Sequence, residues 1–94
     1  MAISYLNGSW QPIEEARVSV LDRGFMFGDG IYEVIPVYAG KVFTLHRHLL
    51  RLANSLAEIQ LKNPLSMAAW TTLTEEAVTR SGETTAYVYI QVTR

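Results

Sequence analysis

The sequence predicts an α+β fold, a two-layer sandwich in which a mainly antiparallel sheet packs against two helices. Three observations carry this prediction. Asn7-Gly8 separates two short runs of strand-type residues, helical periodicity occupies the second half of the chain as far as Arg80, and β-branched and aromatic residues alternate from Thr84 to Thr93. Tight hairpin turns favour antiparallel pairing, and strands at both ends with two helices between them give one sheet face for the helices to cover.

Each element has its own signal. Ile3 to Leu6 and Ser9 to Ile13 are the arms of the opening hairpin, because Asn and Gly both tolerate the positive φ of a two-residue turn. After the charged segment Glu14-Glu15-Ala16-Arg17, Val18 to Leu21 reads as a further short extended piece. Gly24, Gly28 and Gly30 then interrupt regular structure. They read as tight-turn glycines, since a phosphate-cradling loop follows a strand and opens a helix, whereas these precede a strand. From Ile31 onward, period-two alternation puts Ile31, Glu33, Ile35 and Val37 on one face and Tyr32, Val34, Pro36 and Tyr38 on the other. Ala39-Gly40 turns the chain into an extended segment from Lys41 to Thr44. Thr44 is also the expected N-cap of a helix whose Leu49, Leu52, Ala53, Leu56 and Ile59 recur at spacings of three and four. Asn63-Pro64 breaks that pattern, Ser66 caps a second helix from Met67 to about Arg80, and Gly82 suits the left-handed residue after its end.

With 94 residues the chain makes one compact domain of modest core. A composition of 49% hydrophobic and 18% charged residues with a net charge of −1 argues against disorder and against a nucleic-acid-binding surface. No apolar run approaches the roughly 20 residues that span a bilayer. No signal-peptide pattern opens the chain, so no membrane partner is expected and cytoplasmic residence is the default. The absence of cysteine removes disulfides and thiolate metal sites.

Among residues able to do chemistry, Arg51 stands out. Its helical neighbours at three and four positions are Arg47, His48, Asn54 and Ser55, with no carboxylate among them. A guanidinium offers fixed donors matched to phosphate oxygens, so Arg51 is either an anion ligand or a solvated helix arginine with a buried stem. Arg47 and His48 are assigned to the surface or the helix start. Tyr32 shares a face with Val34 and Pro36, an apolar surface bearing one phenol. That face either lines a pocket or packs as an ordinary half-buried strand. Tyr89 and Gln91, with Tyr87 and Thr93 on the same face of the last strand, are open to the same two readings. Glu33 faces away from Tyr32, lacks a carboxylate partner at catalytic spacing, and reads as structural. Asp22 and Asp29 read as turn and loop residues. His46 and His48, two apart, diverge on a helix, and no metal is assigned.

The run Leu21-Asp22-Arg23-Gly24-Phe25-Met26-Phe27-Gly28-Asp29-Gly30-Ile31-Tyr32-Glu33, answered by His48-Leu49-Leu50-Arg51-Leu52, resembles the N-terminal domain of fold-type IV (class IV) pyridoxal-phosphate aminotransferases, most closely their D-amino acid branch. The resemblance implies pyridoxal 5'-phosphate as cofactor and, at the arginine of the His-x-x-x-Arg-Leu pattern, Arg51 as the ligand of its phosphate. It implies that Tyr32 of Gly-Asp-Gly-x-Tyr-Glu contacts the substrate carboxylate, with Val34, Tyr89 and Gln91 beside it as substrate-binding candidates. Pro36 stands where several relatives carry an arginine, so that arginine's substrate contact is missing here. Amino-acid and 2-oxo-acid substrates and a homodimer follow from the same resemblance.

The Schiff-base lysine of such enzymes lies in a larger C-terminal domain. Lys41 and Lys62, the only lysines, occupy contexts of exposed connections and do not resemble it. Residues 1–94 are therefore expected to be the small N-terminal domain of a transaminase acting on D-alanine and 2-oxoglutarate, with no catalytic residue of its own and no activity in isolation. A branched-chain L-amino acid aminotransferase or an aminodeoxychorismate lyase uses the same domain, although the former usually places Phe-Glu-Gly where this chain has Tyr32-Glu33-Val34. A non-catalytic interaction domain is the reading from a different class.

Overall fold

The computed structural model describes residues 2–94. Asn7 and Gly8 both take positive φ, and they join β1 (Ile3–Leu6) to β2 (Ser9–Pro12) in antiparallel register, Leu6 opposite Ser9. The aromatic rings of Tyr5 and Trp10 meet edge-on across this hairpin at 5.0 Å. The hairpin is a separate two-stranded sheet rather than an arm of the main one.

The expected extended piece at Val18 to Leu21 does not form a strand. Residues 16–19 run without regular structure into a turn in which Asp22 N donates to Ser19 O (3.0 Å) and Leu21 N to Ser19 Oγ (3.0 Å). No neighbouring strand pairs with this segment, and Val18, Val20 and Leu21 remain exposed. A short helix, α1 (Arg23–Phe27), follows where the sequence suggested turns. Asp22 caps it by accepting from Gly24 N (2.8 Å), and Gly28 ends it at φ 63°. Gly24 is thus a helical residue, not a turn residue. Gly30 is required for a different reason: a Cβ there would lie 2.6 Å from the Val92 carbonyl oxygen.

The main sheet is β4-β3-β5, built from β3 (Gly30–Tyr38), β4 (Lys41–Val42) and β5 (Ala86–Thr93), all antiparallel. β4 is shorter than expected because Phe43 and Thr44 already turn toward the next helix. β5 begins two residues later than the alternation suggested.

α2 (Leu45–Glu58) starts after Thr44, but Thr44 does not cap it: its φ is 50° and its hydroxyl donates to the Phe43 carbonyl instead (2.8 Å). α3 (Met67–Ser81) begins as expected, with Ser66 Oγ accepting from Ala69 N (3.1 Å), and ends at the left-handed Gly82. Trp70 Nε1 donates to Asn63 Oδ1 (2.7 Å), tying α3 to the connection before it.

Alternation along β3 holds as read: Glu33, Ile35 and Val37 are buried, while Tyr32, Val34 and Tyr38 are exposed. Ile35 and Ile90 from the sheet pack on Leu49, Leu52 and Leu56 of α2 and Trp70 of α3. Both long helices cover this one face, giving the two-layer α+β sandwich, while the opposite face meets only the short α1, at its Thr93 end. Among the described residues no helix is long and apolar enough to cross a membrane.

Leu52 is fully buried, while Leu50, two positions away, is 45% exposed. Leu52→Ala should cost about 2–5 kcal/mol of unfolding free energy, and Leu50→Ala should stay within about 0.5 kcal/mol. Denaturant titration of both variants checks the assignment of the packed face. Equal losses would contradict it.

Candidate functional site

The uncovered sheet face brings together four of the residues singled out from sequence. β3 contributes Tyr32 and Val34, and β5 contributes Tyr89 and Gln91, with Tyr32 opposite Gln91 and Val34 opposite Tyr89. The rings of Tyr32 and Tyr89 stack diagonally across the strands, centroids 5.7 Å apart and planes 17° apart. The Tyr89 hydroxyl donates to Gln91 Oε1 (2.6 Å), which turns the amide NH2 of Gln91 away from that contact as a donor. Tyr87 and Pro36 extend the same face. The result is an apolar floor bearing phenol and amide donors, suited to a small molecule with one anionic group.

Arg51 lies elsewhere, on α2, and it is not the unneutralised arginine its helical neighbours suggested. Its Nε donates to Glu33 Oε2 and its Nη2 to Glu33 Oε1, both at 2.8 Å. Glu33 is only 4% exposed, so the strand alternation that hides its side chain obliges it to find a cation. His48, expected at the surface or helix start, is the third member of this cluster. Its Nδ1 lies 2.8 Å from Glu33 Oε1, and because a carboxylate only accepts, Nδ1 carries the proton. The 3.4 Å approach of Arg51 Nη2 to the same Nδ1 is then a contact between donors, not a hydrogen bond. The hydrogen bonds from Arg51 first, and from His48 after them, hold the Glu33 carboxyl below its ordinary value against the opposing effect of burial, and Glu33 in turn raises the pKa of Arg51.

The sequence contained the signal for this cluster. Position 33 has the parity of the core-facing residues Ile35 and Val37, and positions 48 and 51 are one helical turn apart, so the two donors share a side of α2. Pairing depends on the helix crossing the strand, which local spacing does not encode.

Asp22 and Asp29 hold loops, as read. Asp22 caps α1 and accepts from Thr93 Oγ1 (3.2 Å). Asp29 accepts from Arg23 Nε (2.9 Å) and Arg94 Nε (3.0 Å), and the bond from Arg23 does most to keep its carboxyl below the usual range. The guanidinium of Arg94 also donates to the Ile59 carbonyl just past α2 (2.6 Å), fastening the end of β5 to that helix.

Lys62 is exposed on the connection between the helices. Lys41 is exposed opposite Tyr38, six residues and thus about 20 Å along β3 from Tyr32. A concavity between the hairpin and α3, lined by Tyr5, Trp10, Leu65 and Leu73, holds none of the candidate residues. Among the described residues no group of three or more His, Cys, Asp or Glu is arranged to hold a metal.

The lowered pKa of Glu33 links the cluster to pH. A carboxylate depressed by folding stabilises the native state above its unfolded value, and the contribution disappears as pH falls through the folded value. Compared with Glu33→Gln, the natural chain should be more stable by about 1–3 kcal/mol near neutrality. That gap should hold down to the ordinary glutamate value of 4.5 and then shrink. Denaturation of both proteins from pH 7 to 3 measures it; a gap that widens on acidification would contradict the assignment.

Comparison with known proteins fits this geometry. The family model for amino-transferase class IV matches residues 30–94. A D-alanine aminotransferase of Listeria monocytogenes serotype 4b (strain F2365) is 46% identical over 81 residues, covering 86% of this chain and 28% of that protein. The crystal structure of a branched-chain aminotransferase from the thermophilic archaeon Thermoproteus uzoniensis with norvaline superposes with a TM-score of 0.81 at 30% identity, over 96% of this chain and 31% of that one. A 4-amino-4-deoxychorismate lyase from Pseudomonas aeruginosa gives a TM-score of 0.71 at 34% identity, over 84% and 28%. The chain thus spans about a third or less of each of these proteins. With the antiparallel sheet, the covering helices and the family match from Gly30 to Arg94 in agreement, the chain belongs to the class IV aminotransferase family.

Proposed function

We propose that these residues form the N-terminal domain of a pyridoxal-phosphate-dependent aminotransferase that moves the amino group of D-alanine to 2-oxoglutarate. The observation that carries the reading is the 46% identity to a D-alanine aminotransferase over most of the chain. The motif Gly28-Asp29-Gly30-Ile31-Tyr32-Glu33, with its phenol on the open face, supports it.

The residues present fit one end of the cofactor. Arg51 commits Nε and Nη2 to Glu33, and its side chain is 66% exposed, so Nη1 and the outer hydrogen of Nη2 are available to phosphate oxygens. The other end requires a lysine. Lys41 is exposed on β4 and Lys62 on the connection between the helices, so the reading assigns the covalent lysine to sequence outside these residues. When bound, the cofactor supplies the electron sink that makes the substrate Cα–H acidic enough for transamination.

The chain's own part is binding and orientation. Arg51 holds the phosphate. The Tyr32 hydroxyl donates to the substrate carboxylate, Val34 and the Tyr89 ring wall the side-chain space, and the Gln91 amide adds a donor beside Tyr32. Fixing the carboxylate relative to the cofactor determines which face of the substrate loses its proton, and so its stereochemistry. The exposed Val18, Val20, Leu21, Phe25 and Phe27, with the open sheet face, form the apolar surface that a second domain and a dimer partner would cover. A branched-chain or aminodeoxychorismate-cleaving parent is the second reading, supported by the structural likeness to both.

Turnover on three substrates separates these readings. The full-length protein should process D-alanine faster than L-leucine or aminodeoxychorismate, and the 94-residue chain alone should form no pyruvate from D-alanine and 2-oxoglutarate. Preference for either of the other substrates would reject the D-alanine assignment, and sustained turnover by the short chain would reject the division of labour. In the full-length protein Arg51→Leu should weaken pyridoxal-phosphate binding by about 1.5–3 kcal/mol, the worth of a charged hydrogen bond. Titration of the apoprotein measures it, and unchanged affinity would return Arg51 to the role of a surface arginine.

A further inference from the structure

We propose that Glu33 is the positioning residue for Arg51, fixing one edge of the guanidinium so that the opposite edge faces an incoming phosphate, and that this arrangement makes arginine irreplaceable by lysine. The proposal rests on the reading of Arg51 as a phosphate ligand.

A guanidinium carries five N–H donors in one plane, divided between a side edge and an end edge. Glu33 takes the side edge, with 2.8 Å bonds from Nε and Nη2. On the end edge Nη1 has no hydrogen-bond partner among the described residues, and Nη2 has beyond Glu33 only the 3.4 Å approach to His48 Nδ1. Burial makes the clamp asymmetric: the carboxylate is 4% exposed and out of reach of an external anion, while the arginine side chain it holds is 66% exposed.

Repulsion between Glu33 and a phosphate is the obvious objection. His48 answers it. Its Nδ1–H shares Oε1 with Arg51, so the negative charge is distributed over three short hydrogen bonds before it is felt beyond the guanidinium. What Glu33 adds is direction, because an arginine already held in one plane loses less side-chain freedom when the anion arrives. A lysine at this position has one compact ammonium and no second edge, so Glu33 would capture it and the phosphate would lose its partner.

The test compares two probes on full-length apoprotein, pyridoxal 5'-phosphate and pyridoxal, which differ only in the phosphate. The ratio of their affinities reads the phosphate contact and cancels any general loosening of the fold. Thermal unfolding of each variant confirms that it is folded. Arg51→Leu should lower the ratio by tenfold or more, and Arg51→Lys by about as much despite keeping the charge. Glu33→Gln should lower it by about three- to tenfold with pyridoxal affinity unchanged, and should add nothing when combined with Arg51→Leu. A ratio that Arg51→Leu lowers but Glu33→Gln leaves alone or raises would overturn the positioning role while the phosphate reading stands. Retention of the natural ratio in Arg51→Lys would overturn the requirement for arginine. An Arg51→Leu ratio equal to that of the natural protein would overturn the phosphate reading itself, and the proposal with it.

Discussion

A buried carboxylate governs the arrangement of this domain. Glu33 sits at the joint between the central strand and the first long helix, with its side chain turned inward by the same alternation that buries Ile35 and Val37. An ionised carboxylate is tolerated there only if a cation and further donors meet it, and these come from α2. Arg51 and His48 reach it from successive turns while Leu49, Leu52 and Leu56 pack beside them. Hydrophobic packing sets the distance between helix and sheet. The ion cluster adds directional constraints on register and rotation, because sliding α2 along the strand would leave a charge buried without partners.

The two faces of β3 divide the work. The covered face holds the core and the cluster. The bare face holds Tyr32, Val34, Tyr89 and Gln91, whose donors are arranged by stacking and by the Tyr89–Gln91 hydrogen bond. Adjacent residues of one strand thus point into different surroundings: Tyr32 toward the exposed face, Glu33 toward Arg51 and His48. The Gly28-Asp29-Gly30 entry makes the strand possible. Gly28 ends α1 in a left-handed conformation, Asp29 gathers Arg23 and Arg94, and Gly30 lets the backbone approach Val92 closely.

Much of this was legible in the sequence where the determinants are local. Asn7-Gly8, Ser66 and Gly82 each dictate backbone conformation within a few residues, and the alternation of β3 and the leucine stripe of α2 survive unchanged. Thr44 failed as a cap because its own backbone is left-handed and its hydroxyl bonds the preceding carbonyl. Val18 to Leu21 has strand composition but no strand beside it, and pairing is a tertiary property. α1 was hidden because Gly24 and Gly28 read as loop residues, although Asp22 before and Gly28 after are ordinary helix boundaries. The candidate site divides the same way. Parity placed the four residues of the open face correctly, whereas the neighbours of Arg51 were sought along its own helix when the decisive one lies 18 positions earlier on a strand.

Whether the clamp persists when a phosphate arrives is the most direct question to put to this domain. Side-chain nitrogen NMR of the full-length protein, with and without pyridoxal 5'-phosphate, observes the Nε–H of Arg51 separately from its Nη groups. The predicted result is an Nε–H signal protected from solvent exchange in both states and lost in Glu33→Gln, with only the Nη signals shifting when the cofactor binds. An Nε–H that loses its protection on cofactor binding would mean that Arg51 must leave Glu33 to reach the phosphate, and would contradict the division of the guanidinium into a held edge and a presented one.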